Sequence, residues 1–379
     1  MEIRLVKKSE LEQAAKLANI VFCNDENGHM GSCFPTLFQA GIPHSYGAFS
    51  PEGNLVSFMG MVPVEITIGA KKSLRAYSIG AVCTDPAFRG QGLASKLLAS
   101  CRQHARKSGA SVMFISGDRS LYTREGSVFF GNANKVTIKE DAVSKHNVNS
   151  SLPSWNYRDI VPEDIFTLHH LLTNKSSSFQ WGITELQQSI GTSAYATLNK
   201  KIQITRIAYS DNNEIAAAII LMLPGENTPV QEQHMGQIIE WAGNPLAAYE
   251  LMYDAISRYQ LASLSAILPW QDSELIELLQ NDHVQSEKVN NAGTVLVVDE
   301  AALIQQAGFD KTATGETYIN ILGNNRYELH TKDEKVFIEG IDQLSSVIFN
   351  PDTVIDVSKS SSHNPFAIPL PYMYGLYFI

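Results

Sequence analysis

The stretch that most constrains this chain is FRGQGLASKLL, residues 88–98, in which two glycines flank a glutamine directly behind an arginine. A strand-like segment, RAYSIGAVC, precedes it, and an apolar run with helical spacing follows. The first N–H groups of a helix have no intrahelical partner, and the helix dipole places partial positive charge there. Glycines lack a Cβ, so an anion can reach those N–H groups. The pattern therefore predicts either a phosphate site or a tight turn without a ligand.

Two common phosphate-binding motifs do not fit this stretch. A P-loop needs GxxxxGK[ST], but Lys96 follows Gly92 by four residues. A dinucleotide-binding GxGxxG needs a third glycine, whereas GQG continues into Leu93, Ala94 and Ser95. The stretch therefore matches neither of these two motifs.

The bulk composition excludes several kinds of partner. The chain has 379 residues and a net charge of -10, from 39 acidic and 29 basic residues, which argues against nucleic acid or an anionic membrane. The four cysteines form no CxxC pair, so a metal site has no support. The start, MEIRLVKKSELEQ, does not resemble a signal peptide, and no apolar run approaches the about 18 residues of a membrane span. We expect a soluble, cytoplasmic protein in a reducing environment.

The order of strand-like and helix-like segments predicts an α/β (α+β) chain in three domains, at 1–148, 149–288 and 289–379. Ser9 and Glu12 form a capping-box pattern before the first helix, and KEDAVSKHNVNSSLPS, residues 139–154, resembles a linker. IIEWAG, NPLAAYELMYDAISRYQ and ASLSAIL repeat the strand–helix–strand order of the first domain, which makes an internal duplication plausible. The second copy has GNPLAAYE in place of RGQGLA, with one glycine and no arginine, and is interpreted as degenerate.

RGQGLA resembles the Q/R-x-x-G-x-G/A signature of the GNAT acetyltransferases, and the strand AVCTDPAF precedes it at the spacing of that family. GDRSLYTREGSVFFG, residues 117–131, is similar to the family's tyrosine-bearing helix, with Tyr122 in the LY-x-x-x-G setting. The full chain resembles the Eis (enhanced intracellular survival) acetyltransferases. That resemblance implies tandem GNAT folds, with mixed, strongly bent sheets flanked by helices, and a small C-terminal α/β domain similar to a sterol carrier protein.

The resemblance implies acetyl-CoA as the co-substrate, without a metal. Backbone groups of Val82, Cys83 and Thr84 would bind the pantetheine arm as a pseudo-strand. Backbone N–H groups of the glycine turn would hold the pyrophosphate: Arg89, Gly90, Gln91, Gly92, Leu93 and Ala94.

Acyl transfer to an amine needs a neutral amine, a stabilised oxyanion and a protonated leaving thiolate. Tyr122 is our candidate acid, since a phenol with a pKa of about 10 can protonate a thiolate; a half-buried helix tyrosine without a role is the alternative. RAYSIGAVC holds no carboxylate, and Asp85 should face away from the acceptor, so a water chain could take the proton. The end of the chain, IPLPYMYGLYFI, is apolar and should be buried. By resemblance, the carboxylate of Ile379 is the candidate base; a tail that only packs is the alternative.

The acceptor is expected to be a small amine. Asp25, Glu26 and His29 lie in the polar break NDENGHM and could bind a cationic amine, with His29 as an alternative base; a solvated loop is the other interpretation. Aminoglycosides and lysine side chains are acceptors of the resembled group, which also suggests a homo-oligomer, a hexamer or a dimer. No nucleic acid or membrane partner is expected.

These patterns together predict an acetyl-CoA-dependent N-acetyltransferase that works by direct transfer in a ternary complex. The alternative is a non-catalytic protein that binds CoA, or an apolar ligand in its sterol-carrier-like domain. A donor with an acyl group larger than acetyl is a further alternative.

Overall fold

The computed structural model describes residues 1–69, 72–146, 154–311, 317–332, 334–354 and 364–379. The strands are β1 Glu2–Leu5, β2 Tyr46–Phe49, β3 Leu55–Ile68, β4 Ser73–Thr84, β5 Val112–Ile115, β6 Asn132–Lys139, β7 Asn156–Asp159, β8 Ser177–Phe179, β9 Lys201–Tyr209, β10 Ile215–Pro224, β11 Met235–Gly243, β12 Ser263–Pro269, β13 Gln285–Asn290, β14 Thr294–Val297, β15 Tyr318–Gly323, β16 Arg326–His330 and β17 Lys335–Glu339. The α-helices are α1 Leu11–Cys23, α2 Met30–Cys33, α3 Pro35–Phe38, α4 Leu93–Lys107, α5 Ser120–Thr123, α6 Glu140–His146, α7 Ile165–Thr173, α8 Ile183–Thr192, α9 Ala194–Leu198, α10 Pro245–Tyr259, α11 Ser273–Asn281, α12 Glu300–Gln306 and α13 Ile341–Phe349.

The chain forms two compact units. Unit 1 comprises residues 1–130, 292–368 and 379, and unit 2 comprises 131–291 and 369–378. Mixed sheets flanked by helices confirm the predicted fold class. The three-domain partition stays a prediction, and its first boundary falls in 147–153, outside the described residues. The predicted linker at 139–154 is wrong for its first half, because Lys139 ends β6 and Glu140–His146 forms α6. Among the helices of the described ranges, none combines the length and apolar character that crossing a bilayer requires.

The main sheet of unit 1 contains the strands that surround the glycine turn. Its order is β1-β2-β3-β4-β5-β14, antiparallel throughout except for the parallel β4–β5 pair. A parallel pair needs a crossover connection, and α4 supplies it. Leu97, Leu98 and Cys101 of α4 pack in one core cluster with Ile79 of β4 and Ile115 of β5. This apolar face fixes α4 against the sheet, so the start of α4 lies at the end of β4.

The predicted capping box of the first helix is wrong. Lys8–Glu10 forms a 3₁₀ turn, and α1 begins only at Leu11. The Glu10 carboxylate accepts the Lys7 N–H at 2.8 Å and also binds the Arg4 guanidinium through two hydrogen bonds of 2.8 Å. The acid at this helix start is therefore Glu10, two residues before Glu12. Glu10 also pairs with Arg4 of β1.

The rest of unit 1 contains a three-stranded antiparallel sheet, β15-β16-β17. Tyr327 and Leu329 of β16 are buried, as are Leu344 and Ile348 of α13. These elements form a small α/β piece, and its likeness to a sterol carrier protein stays a prediction.

Unit 2 contains a sheet with the order β13-β6-β12-β11-β10-β9-β7. β10 and β11 are antiparallel, α10 follows β11, and β12 returns parallel to β11. This is the same order as β3, β4, α4 and β5 in unit 1, which supports the predicted duplication. α10 is nearly surrounded by apolar side chains, with Ala248, Leu251, Met252 and Ala255 fully buried.

Candidate active site

A β-bulge in β4 lies just before the glycine turn. Phe58 of β3 pairs with Cys83 and Gly60 pairs with Gly80, so Ala81 and Val82 together face one residue of β3. Ala81 has a φ of 48°, a left-handed conformation that is unusual for alanine. A bulge redirects the strand that contains it. Because position 81 is neither glycine nor proline, the sequence alone did not predict this bulge.

The pairing of β4 with β5 ends at the bulge. The parallel register runs from Ala76↔Val112 to Ile79↔Ile115, while β4 continues to Thr84. The Asp85 N–H bonds Val56 O of β3, and backbone groups alternate along a strand, so those of Thr84 and Val82 face away from β3. On that side Thr84 O accepts only the Arg89 side chain, Nε to O 3.2 Å, among the described residues. Beside the turn, β4 therefore presents an edge that no strand of the described ranges pairs with.

Cys83 directs its backbone groups to β3 by the same alternation, so it adds no donor or acceptor to this edge. Its side chain is 3% exposed, and the Ser57 hydroxyl donates to Cys83 O at 3.1 Å. Burial raises the pKa of the Cys83 thiol to about 12. The thiol therefore stays protonated at physiological pH and is a poor nucleophile.

Gly90 and Gly92 both adopt left-handed conformations, with φ of 77° and 69°. A Cβ added at either glycine would meet no atom within 4 Å. Glycine is thus favoured at both positions by the left-handed backbone conformation and not by close contact with neighbouring atoms. The space beside both Cα atoms is open. Before them, Asp85 Oδ1 accepts the Ala87 N–H at 2.8 Å and holds the short 3₁₀ turn Pro86–Phe88.

No side chain in the described part of the structure caps the start of α4. Gly92 is its N-cap, and the first intrahelical bond runs from the Lys96 N–H to Gly92 O at 3.2 Å. The N–H groups of the preceding helical residues therefore have no intrahelical acceptor. Leu93 is buried against Ala48 and Val56, which fixes the position of this helix end. The arrangement offers N–H donors, an exposed arginine and the positive end of the helix dipole to an anion.

The corresponding helix start in unit 2 is built differently. Asn244 caps α10 by accepting the Ala247 N–H at 3.0 Å, and Pro245 has no N–H to offer. A Cβ on Gly243 would lie 2.2 Å from Ala216 O, so this glycine allows a close approach of two strands. The donors that are open at α4 are thus satisfied or missing at α10, which agrees with the interpretation of the second copy as degenerate.

Tyr122 of α5 is 5% exposed and packs in the same cluster as Ile79, Leu97 and Cys101. Burial raises its pKa to about 12, although the positive charge of Arg119 opposes the shift. Within the described ranges, no group hydrogen-bonds its hydroxyl. The phenol therefore keeps its proton throughout the physiological pH range.

The last residue, Ile379, lies directly against Gly80. A Cβ at Gly80 would lie 2.1 Å from the Ile379 carbonyl oxygen and 2.3 Å from its carbonyl carbon, so a larger residue at this position would displace the terminus. Because side chains alternate along a strand, this is the face of β4 opposite to that of Ile79, which packs on α4. The terminal carboxyl group thus lies one residue from the bulge at Ala81.

Asp25, Glu26 and His29 are exposed in the loop between α1 and α2. No hydrogen bond among the described residues joins them to Tyr122 or Ile379, and their role in acceptor binding stays a prediction. The sequence reasoning missed what holds this loop, the Asn19 side chain of α1. Asn19 is 5% exposed, its Oδ1 accepts the Met30 N–H at 2.9 Å, and its Nδ2 donates to Glu26 O at 3.0 Å.

No metal centre accompanies these groups in the described part of the chain, where no three His, Cys, Asp or Glu side chains are placed to hold an ion. The roles of the turn, the β4 edge, the Tyr122 phenol and the Ile379 carboxyl group in binding or transfer stay predictions.

Comparison with known protein families identifies one domain. Residues 2–126 match the model of the acetyltransferase (GNAT) domain. This segment runs from β1 through α5 and holds the bulge, the glycine turn and Tyr122. No curated protein matched the sequence.

Comparison with solved structures shows that the likeness extends over most of the chain. A probable N-acyltransferase of unknown function from Enterococcus faecalis V583 is 14% identical, with a TM-score of 0.66 over 89% of this chain and 85% of that one. A GCN5-related N-acetyltransferase from Anabaena variabilis is 13% identical, with a TM-score of 0.64 over 91% and 89%. Eis1 from Mycobacterium abscessus is 12% identical, with a TM-score of 0.63 over 92% and 89%. At these identities the likeness establishes a shared fold.

Proposed function

We propose that this protein is an acetyl-CoA-dependent N-acetyltransferase that moves the acetyl group to a primary amine of a small acceptor. The observation that carries the proposal is the open backbone at Gly90 and Gly92, at the uncapped start of α4. A CoA diphosphate would accept the N–H groups of the turn from Arg89 to Ala94, and the exposed Arg89 would add charge complementarity.

The pantetheine arm would extend along β4. It carries amide groups that pair as a strand does, and Val82 and Thr84 present their backbone groups on the side where β5 no longer pairs. An arm that runs from the turn back along β4 reaches the bulge at Ala81. There the thioester would lie beside Gly80, against which the chain terminus packs.

Transfer would proceed by direct attack in a ternary complex. The acceptor nitrogen forms a bond to the acetyl carbon, and the C–S bond breaks. The Ile379 carboxylate would take the proton of the amine, directly or through water, and Tyr122 would protonate the departing thiolate. Since the pKa of Tyr122 is raised to about 12, the phenol carries its proton at every pH at which an enzyme normally works.

The acceptor is proposed to be cationic in its resting state. The acidic side chains of Asp25 and Glu26 are exposed in the α1–α2 loop, and a net charge of -10 favours the approach of amines of the aminoglycoside or lysine class. Assembly into a homo-oligomer is a further prediction, which sedimentation velocity would test.

Calorimetric titration with CoA, followed by thiol release from acetyl-CoA with a panel of primary amines, tests the proposal. We expect CoA binding and amine-dependent thiol release. Absence of CoA binding would overturn the assignment. CoA binding without release, from acetyl-CoA or from longer acyl donors, would favour the non-catalytic alternative.

A further inference from the structure

Unit 2 contains a cavity of about 180 Å³ that none of the transfer chemistry uses. The pairing of β11 with β12 ends at Ile238↔Ala266, and the cavity lies beyond that point, near the start of α11. Its walls include Lys175, Trp241, Gln271, Asp272 and Leu275. It therefore joins the apolar surface of Leu275 and the Trp241 ring to four side chains that can form hydrogen bonds: Lys175, Trp241, Gln271 and Asp272.

The positive charge of Lys175 is already neutralised. Its Nζ lies 2.9 Å from Glu240 Oε1 and 3.0 Å from Trp241 O. Glu240 is 8% exposed and also accepts the backbone N–H of Trp241 at 3.0 Å. Burial lowers the pKa of Lys175, but the carboxylates of Glu240 and Asp272 outweigh burial and raise it. Lys175 and Glu240 thus form an ion pair, and Lys175 lies at one wall of the cavity.

Asp272 is a second acid beside Lys175, so Lys175, Glu240 and Asp272 together carry one negative charge when all three are ionised. It is 8% exposed, and its Oδ2 accepts the Trp241 Nε1–H at 2.7 Å. Although it precedes α11, its side chain makes no capping bond there, and Oδ1 has no hydrogen-bond partner among the described residues. Burial raises the pKa of Asp272, with Lys175 and Trp241 opposing the shift. A buried carboxylate in this state costs free energy unless a cation or a proton joins it.

Gln271 supplies a second unsatisfied acceptor. Its Nε2 donates to Leu370 O at 2.7 Å, which fixes the amide orientation, while its Oε1 is buried without a hydrogen-bond partner in the described part of the chain. Gln271 and Asp272 thus both line the cavity, and Gln271 Oε1 is a buried acceptor that lacks a donor among the described residues. Buried acceptors are normally satisfied, so Gln271 Oε1 indicates a missing donor.

We propose that this cavity binds a small primary ammonium ion, whose N–H groups pair with Asp272 Oδ1 and Gln271 Oε1 and whose alkyl part packs on Trp241 and Leu275. An ammonium group brings three donors and one positive charge, which neutralises Asp272. A volume of about 180 Å³ has room for an alkylamine of about five heavy atoms, since about 10–15 Å³ in this measure already holds one water molecule. The site is distinct from the acetyl-transfer chemistry of unit 1 and does not depend on it.

Titration of the full chain with n-butylammonium chloride tests this site, with n-butanol and sodium butyrate as neutral and anionic controls. The reporter is the indole N–H resonance of Trp241 in ¹⁵N–¹H spectra, because that N–H bonds Asp272 directly. We expect a saturable shift with butylammonium and none with the controls. A shift of equal size with n-butanol, or no shift, would show a cavity that holds only water or any apolar solute, and would overturn the proposal.

Asp272→Asn removes the charge and leaves an oxygen that can still accept the Trp241 N–H. We expect at least tenfold weaker binding of butylammonium. Glu274→Gln is the matched control, since Glu274 is an exposed acid that lines the same cavity. The affinity of this variant for butylammonium should stay within about twofold of that of the unaltered protein. Equal affinity of Asp272→Asn and the unaltered protein would refute the site. If Asp272→Asn does not fold, the same titration of Gln271→Leu tests the site. We expect at least threefold weaker binding of butylammonium to Gln271→Leu, and unchanged binding would refute the site.

Discussion

Gly92→Ala separates the conformational need for glycine from the need for open space. Gly92 has a φ of 69°, and a left-handed conformation costs an alanine about 1–2 kcal/mol of stability. No atom lies within 4 Å of the added Cβ, so no steric clash adds to this cost. The folded protein should therefore lose only that amount, measured by urea unfolding in the absence of CoA.

The effect on CoA binding should be of a different kind. The methyl group would stand where the diphosphate approaches the start of α4. The loss of one hydrogen bond to a charged group costs about 1.5–3 kcal/mol, and each 1.4 kcal/mol is a factor of ten. We expect calorimetry to show CoA binding weaker by about 10- to 100-fold. The KM for S-acetylpantetheine, which has no diphosphate, should not change.

Gly323→Ala is the matched control. Gly323 in the β15–β16 turn also has a positive φ, 85°, and also has no atom within 4 Å of an added Cβ. It should lose a similar free energy of unfolding without a change in CoA affinity. If Gly92→Ala binds CoA within about twofold of the unaltered protein while remaining folded, the diphosphate does not approach this backbone and the reasoning is wrong.

Four further outcomes follow from the structure. Tyr122→Phe should lower kcat for acetyl transfer by about 100-fold or more and leave CoA affinity unchanged. Because the pKa of Tyr122 is raised to about 12, kcat of the unaltered enzyme should show no loss of this acid up to pH 10. Full activity of Tyr122→Phe would remove the role of Tyr122. A one-glycine extension after Ile379 should lower kcat and leave CoA binding intact, whereas unchanged kcat would exclude the terminal carboxylate as the base. Gly243→Ala should destabilise the protein more than Gly92→Ala, because its Cβ would lie 2.2 Å from Ala216 O; equal urea midpoints would contradict this. Burial lowers the pKa of His44 and His104, whose ring nitrogens lie 3.2 Å apart. The unfolded chain therefore takes up protons first, so the contribution of this pair to the free energy of unfolding should be complete above pH 6.5 and decrease below it. His44→Gln should flatten that decrease, and an unchanged slope would contradict the prediction.

The sequence alone determined the local parts of this protein. Two glycines before an apolar helix predict an open helix start, because conformation and spacing at such a turn depend on adjacent residues. The strand–helix–strand order likewise predicted the mixed α/β class, since each element is encoded by its own periodicity. Tyr122 could be singled out only by the motif around it, and its burial, and hence its raised pKa, depends on the cluster formed by β4, β5 and α4.

Only the tertiary structure decided which distant residues meet. The bulge at Ala81 exists because β4 must pair with β3 in a shifted register, and the contact of Ile379 with Gly80 joins the end of the chain to a strand in its first third. Glu240 of β11 and Asp272, which precedes α11, likewise come from separate elements, and their charges act on Lys175 only after the chain has closed long loops. Local periodicity carries no information about such pairings, because their free energy comes from burial and electrostatics that exist only in the folded state.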